Sequence, residues 1–154
     1  LSEQQLVDCS ASYGNHGCGG GWASSALKYV KDHGITTGST YPYVARTNDC
    51  FRQGGDFHIS NVLSVAGCNG LSTGIAARPL SITVDATNWS QYKSGVFNNC
   101  GTGINHAVLL VGTDATGVWK VKNSWGTGWG ESGYIRLAAG NTCGICAYGG
   151  VYVS

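Results

Sequence analysis

The spacing of apolar positions changes along the chain, from a helical period near the start to alternation in the second half. Ser2-Glu3-Gln4-Gln5 has capping-box form and predicts a short helix from about Glu3 to Cys9. A glycine cluster, Gly17 to Gly21, then breaks the chain. Trp22 to His33 follows, with Ala23, Ala26, Leu27 and Val30 at i, i+3, i+4 and i+7. That is a one-sided helix, and Gly34 stops it. From Gly34 to Gly55, Tyr41-Pro42-Tyr43 included, turn chemistry dominates.

The second half is strand-like. Leu80-Ser81-Ile82-Thr83-Val84 alternates as a half-buried strand does, and the continuous apolar run Ala107 to Gly112 predicts a strand buried on both faces. Asp114 to Gly117 is a turn, and Val118-Trp119-Lys120-Val121-Lys122 alternates again to complete a hairpin. Gly133 to Leu137 and Val151 to Val153 are two further strands. Helices first and strands afterwards make an α+β arrangement of two lobes, divided here as 1–56 and 57–154, with ligands expected at the seam between lobes.

Composition narrows the function classes. The net charge of +1, with 11% charged residues, gives no electrostatic case for nucleic acid or a membrane surface as partner. The 25 glycines have no collagen-like period and read as turns and close backbone approaches. Seven cysteines in 154 residues point to an oxidising compartment, and their odd number leaves one sulfur without a partner in this sequence. The cysteines are scattered, the Cys143–Cys146 pair stands alone, and His16, His33, His58 and His106 form no ligand cluster, so neither a metal nor another cofactor is expected. The start at Leu1, without an initiator methionine or signal peptide, is read as a partial or processed sequence.

His106 stands at the mouth of an apolar strand, and Asn123 closes the next strand of the hairpin. Paired strands would bring the two within side-chain reach. An amide oxygen accepting the ring N–H fixes the tautomer and turns the other nitrogen toward a nucleophile. The alternative is a satisfied half-buried histidine beside a turn asparagine. Trp119 is read as core.

The text around these residues decides between the readings. Asn123-Ser124-Trp125-Gly126-Thr127-Gly128-Trp129-Gly130 resembles the segment following the catalytic asparagine of papain-like cysteine proteases. Leu1 to Ser10, Gly17 to Trp22, Tyr41-Pro42-Tyr43, Asn105 to Leu109, Gly130 to Arg136 and Cys143-Gly144-Ile145 resemble that family too, in its order. The resemblance covers essentially the whole chain. It implies a papain-like two-lobe fold, with a partial helical lobe and an antiparallel, barrel-like β lobe, and the activity of a cysteine endopeptidase on peptide or protein substrates. His106 matches the acid–base histidine, Asn123 its orienting partner, Trp125 the indole covering their contact and Trp129 a residue lining the primed side. Gly20 and Gly21 match the glycine pair that runs beside bound substrate. Trp22, Ala23, Thr83, Ile104, Ala107 and Tyr148 match the surround of the pocket for the second residue before the scissile bond, and carry no charge. Asn105 departs from the aspartate of many relatives, which is expected to shift the pH profile.

The family's nucleophile lies in a Cys-Gly-Ser-Cys-Trp motif ahead of the segment matched by Leu1 to Ser10, together with the oxyanion-hole glutamine. Neither occurs here, so the isolated 154-residue chain is expected to be inactive. Cys18 is followed by three glycines and matches a structural cysteine. The resemblance pairs Cys9 with Cys50, Cys100 with Cys143, and Cys18 with a cysteine of the absent segment; Cys68 and Cys146, without family-wide partners, are expected to bridge each other. A noncatalytic homologue acting as a binding or structural module is the alternative. Asn88-Trp89-Ser90 is a glycosylation sequon in an expected exposed loop. The cysteines and the resemblance together imply a lysosomal, vacuolar or extracellular protein.

Overall fold

A computed structural model describes residues 1–154, which form two compact units, Leu1–Leu63 with Val153–Ser154, and Ser64–Tyr152. The division expected after residue 56 therefore falls inside the first unit.

In the first unit, helix α1 spans Glu3–Cys9 and helix α2 spans Ala23–His33. Ser2 caps α1 through its Oγ, which accepts the Gln5 N–H at 3.0 Å. The reciprocal half of a capping box is not made. Gln5 instead turns inward, donating to Gly54 O at 2.8 Å and to the Tyr29 hydroxyl at 3.0 Å, and accepting the Thr36 N–H at 2.9 Å. Gln4 and Asp8 do the same for the loop that follows. Gln4 accepts the Val44 N–H at 2.9 Å and donates to Arg46 O at 2.7 Å, while Asp8 accepts from Asn48 N–H and from the Tyr41 hydroxyl. Buried amides and a carboxylate thus satisfy a backbone that has no sheet of its own. Tyr29 and Val30 are the buried positions of α2, packed with Cys9, Ile35 and Tyr41, and the Cys9–Cys50 disulfide closes this core. The alanines of the expected stripe are only half-buried.

The second unit holds most of a sheet whose strands are β1 (Val62–Val65), β2 (Leu80–Val84), β3 (Val96–Phe97), β4 (His106–Thr113), β5 (Trp119–Lys122), β6 (Tyr134–Leu137) and β7 (Gly150–Val153). Their order is β1-β7-β2-β4-β5-β6-β3. Pairing is antiparallel from β7 through β6, and β3 joins β6 in parallel. The sheet is open, where the sequence suggested a barrel-like lobe. Helix α3 (Gly67–Ile75) buries Leu71 against it. Strand β4 is not buried on both faces: Val108 and Leu110 are buried, and Ala107 is exposed. Its inward side chains pack with Leu80, Ile82, Val121, Ile135 and Leu137. The disulfides Cys68–Cys146 and Cys100–Cys143 tie the loops to this core, and Cys18 of the first unit is free and exposed.

Candidate active site

The β4–β5 hairpin supplies two of the candidate residues. His106 opens β4 opposite Val84 of β2, and Asn123 follows the last residue of β5. The Asn123 N–H donates to Gly133 O at 2.9 Å, which fixes its backbone against the segment entering β6. Its side chain is nearly fully buried, and its Oδ1 receives two hydrogen bonds. One comes from the Ser124 N–H at 2.8 Å, and the other joins it to His106 Nε2 at 2.8 Å. A backbone N–H is always a donor, so the atom it meets must be the amide oxygen. Nε2 therefore carries the shared hydrogen, and Nδ1 is left for a second partner. Asn123 Nδ2 is buried without a hydrogen-bond partner.

Aromatic rings surround this contact. Trp125 stacks on the imidazole with centroids 5.2 Å apart and planes 29° from parallel. Trp89 meets the imidazole edge-on at 6.2 Å and 89°. Trp129 lies nearly parallel to Trp89 at 6.1 Å and meets Trp125 edge-on at 5.2 Å. Its indole N–H donates to Trp89 O at 3.0 Å, which locks the arrangement. Edge-on and offset aromatic pairs contribute about 0.5–1.5 kcal/mol each beyond their buried area. Trp125 itself remains 42% exposed, so it forms a lid over one face of the imidazole, while Trp89 is wholly buried beneath the cluster. Sequence reasoning missed Trp89. Its only signal was a single large apolar residue within a polar stretch.

A polar network lies just ahead of His106 in the chain, at Asn105. The Asp85 carboxylate accepts from the Thr87 N–H at 3.0 Å and the Thr87 hydroxyl at 2.6 Å. The Thr87 hydroxyl, the Thr87 N–H and the backbone N–H groups of Gly103 and Gly101 hold this carboxyl below the usual range. Asn105 accepts the Ala86 N–H at 2.9 Å and donates to Thr87 Oγ1 at 2.9 Å and Asp85 Oδ1 at 3.4 Å. An aspartate at 105 has no donor to offer and would set a second carboxylate against the first. Asparagine fits this site.

Of the remaining candidates in this unit, Thr83 and Ala107 are cross-strand partners and share one face of the sheet. Thr83 Oγ1 is buried without a partner. Ile104 packs near Gly144, where an added Cβ would come within 2.8 Å of its Cδ1, and Tyr148 is 66% exposed. In the first unit, Gly20 sits at φ 110°, a left-handed conformation that favours glycine. At Gly21 the demand is steric, because a Cβ would collide with the Asn15 side chain, whose Oδ1 accepts the Trp22 N–H at 2.8 Å. Trp22 is exposed and precedes Ala23 at the start of α2. No three His, Cys, Asp or Glu side chains gather as a metal site.

One nitrogen of the imidazole is thus held by Asn123 while the other stays open to a second partner. Residues 1–151 match the papain family of cysteine proteases. The chain belongs to that family. It is similar to cathepsin L 2 of Paramecium tetraurelia, 48% identical over 149 residues, which are 96% of this chain and 48% of the relative. Digestive cysteine proteinase 3 of Homarus americanus is 43% identical over 169 residues, 96% of this chain and 50% of its own. Among solved structures, a cysteine protease of Carica candamarcensis in complex with E-64 superposes with a TM-score of 0.90 at 38% identity, over 100% of this chain and 76% of that one. Digestive procathepsin L 3 of Tenebrio molitor gives 0.88 at 43% identity, over 100% and 55%. The fold is therefore papain-like. The chain spans about half the length of the curated relatives it matches.

Proposed function

We propose that this chain is the histidine- and asparagine-bearing part of a papain-family cysteine endopeptidase. The observation that carries the reading is the His106–Asn123 contact at 2.8 Å, oriented by the Ser124 N–H and lidded by Trp125. His106 Nδ1 is the proton-exchanging atom, paired with a cysteine thiolate. Attack of the sulfur on a peptide carbonyl forms the S–C bond, and Nδ1 gives its proton to the leaving amine. Water then attacks the thioester, passing a proton back to Nδ1, and the thiolate leaves. Asn123 holds the ring in plane throughout.

The nucleophile is assigned to a segment outside this sequence. Six of the seven cysteines are locked in disulfides, and Cys18 sits in a short 3-10 turn with its N–H bound to Thr47 Oγ1. That position is not the start of an α-helix. Cys18 is instead the partner for a cysteine of the same absent segment, and the 154-residue chain alone is inactive. Gly21 has no hydrogen bond within the chain on its N–H or C=O, which suits pairing with an extended peptide. Thr83, Ile104, Ala107 and Tyr148 of the second unit carry no charge, so an apolar or aromatic residue is preferred second before the scissile bond. Three disulfides and the family fit a lysosomal, vacuolar or extracellular setting.

The test uses the full-length protein, a positional library of fluorogenic peptides and a thiol-reactive epoxide. Cleavage lost in His106→Ala, with the epoxide on a cysteine outside this sequence, is the expected result. A full-length protein that neither cleaves nor takes the label is a noncatalytic binding module instead. Strong preference for arginine at the second position rejects the pocket assignment alone.

A further inference from the structure

We propose that Asn88 is an N-glycosylation site and that the turn carrying it is built to display the modified side chain. Asn88-Trp89-Ser90 is the one Asn-x-Ser/Thr sequence in the chain, and its middle residue is not proline. The three disulfides place the chain in an oxidising compartment, where the glycosyl transfer machinery acts. Asn88 and Ser90 are both exposed, yet Trp89 between them is fully buried. The buried indole anchors the turn, and the backbone closes it through the main-chain N–H of Trp89 to Ala86 O and the Tyr92 N–H to Trp89 O, both at 3.0 Å. Burying the middle residue forces its two neighbours outward.

The amide nitrogen itself is compatible with a sugar. Asn88 Nδ2 donates one hydrogen bond, to Asn99 O at 3.1 Å, beside the Cys100–Cys143 bridge. An Asn side chain has two N–H groups. Transfer from a lipid diphosphate-linked oligosaccharide replaces one hydrogen of Nδ2 with the sugar's C1. The lipid diphosphate leaves, and the displaced proton goes to solvent. The secondary amide keeps one N–H, so the bond to Asn99 survives modification. A glycan here is fixed at its root by a disulfide-pinned loop.

The experiment takes the full-length protein from its own cells and treats it with peptide N-glycosidase in heavy-oxygen water. The expected result is a drop in intact mass by a whole oligosaccharide and conversion of Asn88 to heavy-oxygen-labelled Asp in the peptide map. Ser90→Ala, expressed in the same cells, should lose that shift while retaining Asn88 and its bond to Asn99. A native protein whose Asn88 peptide is unmodified overturns the proposal, as does an oligosaccharide that persists in Ser90→Ala. The readout is a mass, so it is unaffected by whether the protein cleaves peptides.

Discussion

Asn123→Ala isolates the contact on which the proposed chemistry rests. The substitution removes Oδ1, which holds His106 Nε2 and the Ser124 N–H, each at 2.8 Å. Hydrogen bonds to charged groups contribute about 1.5–3 kcal/mol net, and the imidazole is charged in the step that protonates the leaving amine. At 1.36 kcal/mol per tenfold, the loss corresponds to a fall of about 10- to 150-fold in kcat/KM. Both kcat and kcat/KM should drop together, because a bound peptide makes no contact with this amide before reaction. The fold should bear the change well. Asn123 Nδ2 is already buried without a partner, so its deletion removes a desolvated group, and exposed Ser124 can pass its N–H to water. The stability loss should stay near ~1 kcal/mol. The assay is a fluorogenic peptide with the full-length enzyme, read beside thermal unfolding. A kcat/KM within threefold of wild type at unchanged Tm would refute the reasoning, since the stack of Trp125 on His106 would then suffice to orient the ring.

The remaining predictions concern the surroundings of that contact. Trp89→Phe and Trp129→Phe remove similar volume, but Trp89 Nε1 has no partner whereas Trp129 Nε1 bonds Trp89 O; urea unfolding should therefore find Trp129→Phe the costlier by about 1 kcal/mol, and equal losses would deny that hydrogen bond its role. Asn105→Asp sets a carboxylate against Asp85 and should lower stability at pH 7 by about 1–2 kcal/mol, shrinking as acid puts a proton on one of the pair; a pH-independent difference between the two proteins would count against a charge effect. Glu131 is held down to about 2, first by its bidentate pairing with Arg136 at 2.7 and 2.9 Å and then by the Gly95 N–H. Its folded pKa lies below the unfolded one, so the stabilisation is complete above the ordinary carboxylate value of 4.5 and is lost as pH falls through about 2. Because the Arg136 side chain is 43% exposed, the stability gap to Glu131→Gln should be no more than ~1 kcal/mol near pH 6 and should shrink steadily toward pH 2. A gap that stays constant across that range in thermal scans would contradict this.

What was legible in the sequence follows from which forces leave a periodic trace. His106 and Asn123 sit at the ends of strands whose alternation is set by the sheet's own repeat, so their meeting could be anticipated from the hairpin alone. Trp89 could not, because it enters the cluster from a turn, and a turn has no period to place it. Helix α3 was invisible for another reason. Gly67-Cys68-Asn69-Gly70-Leu71-Ser72-Thr73-Gly74-Ile75 has poor helix propensity, and its formation is a tertiary effect. A Cβ at Gly70 would come within 3.1 Å of Val65, and one at Gly74 within 3.2 Å of Leu80, so these glycines let the helix lie close on the strands. The Cys68–Cys146 bridge then holds it there. In the first unit the decisive residues are Gln4, Gln5 and Asp8, whose side chains replace a missing sheet by bonding loop backbone far along the chain. Such bonds depend on long-range partners and leave no local pattern. The resemblance to a family carried the Cys9–Cys50 and Cys100–Cys143 pairings and the assignment of Trp125, because an indole lidding an imidazole and one filling a core look alike in sequence. What separates them is the 42% exposure of Trp125 against the full burial of Trp89, two rings in one cluster whose substitutions should divide along that line, the first altering turnover and the second altering stability.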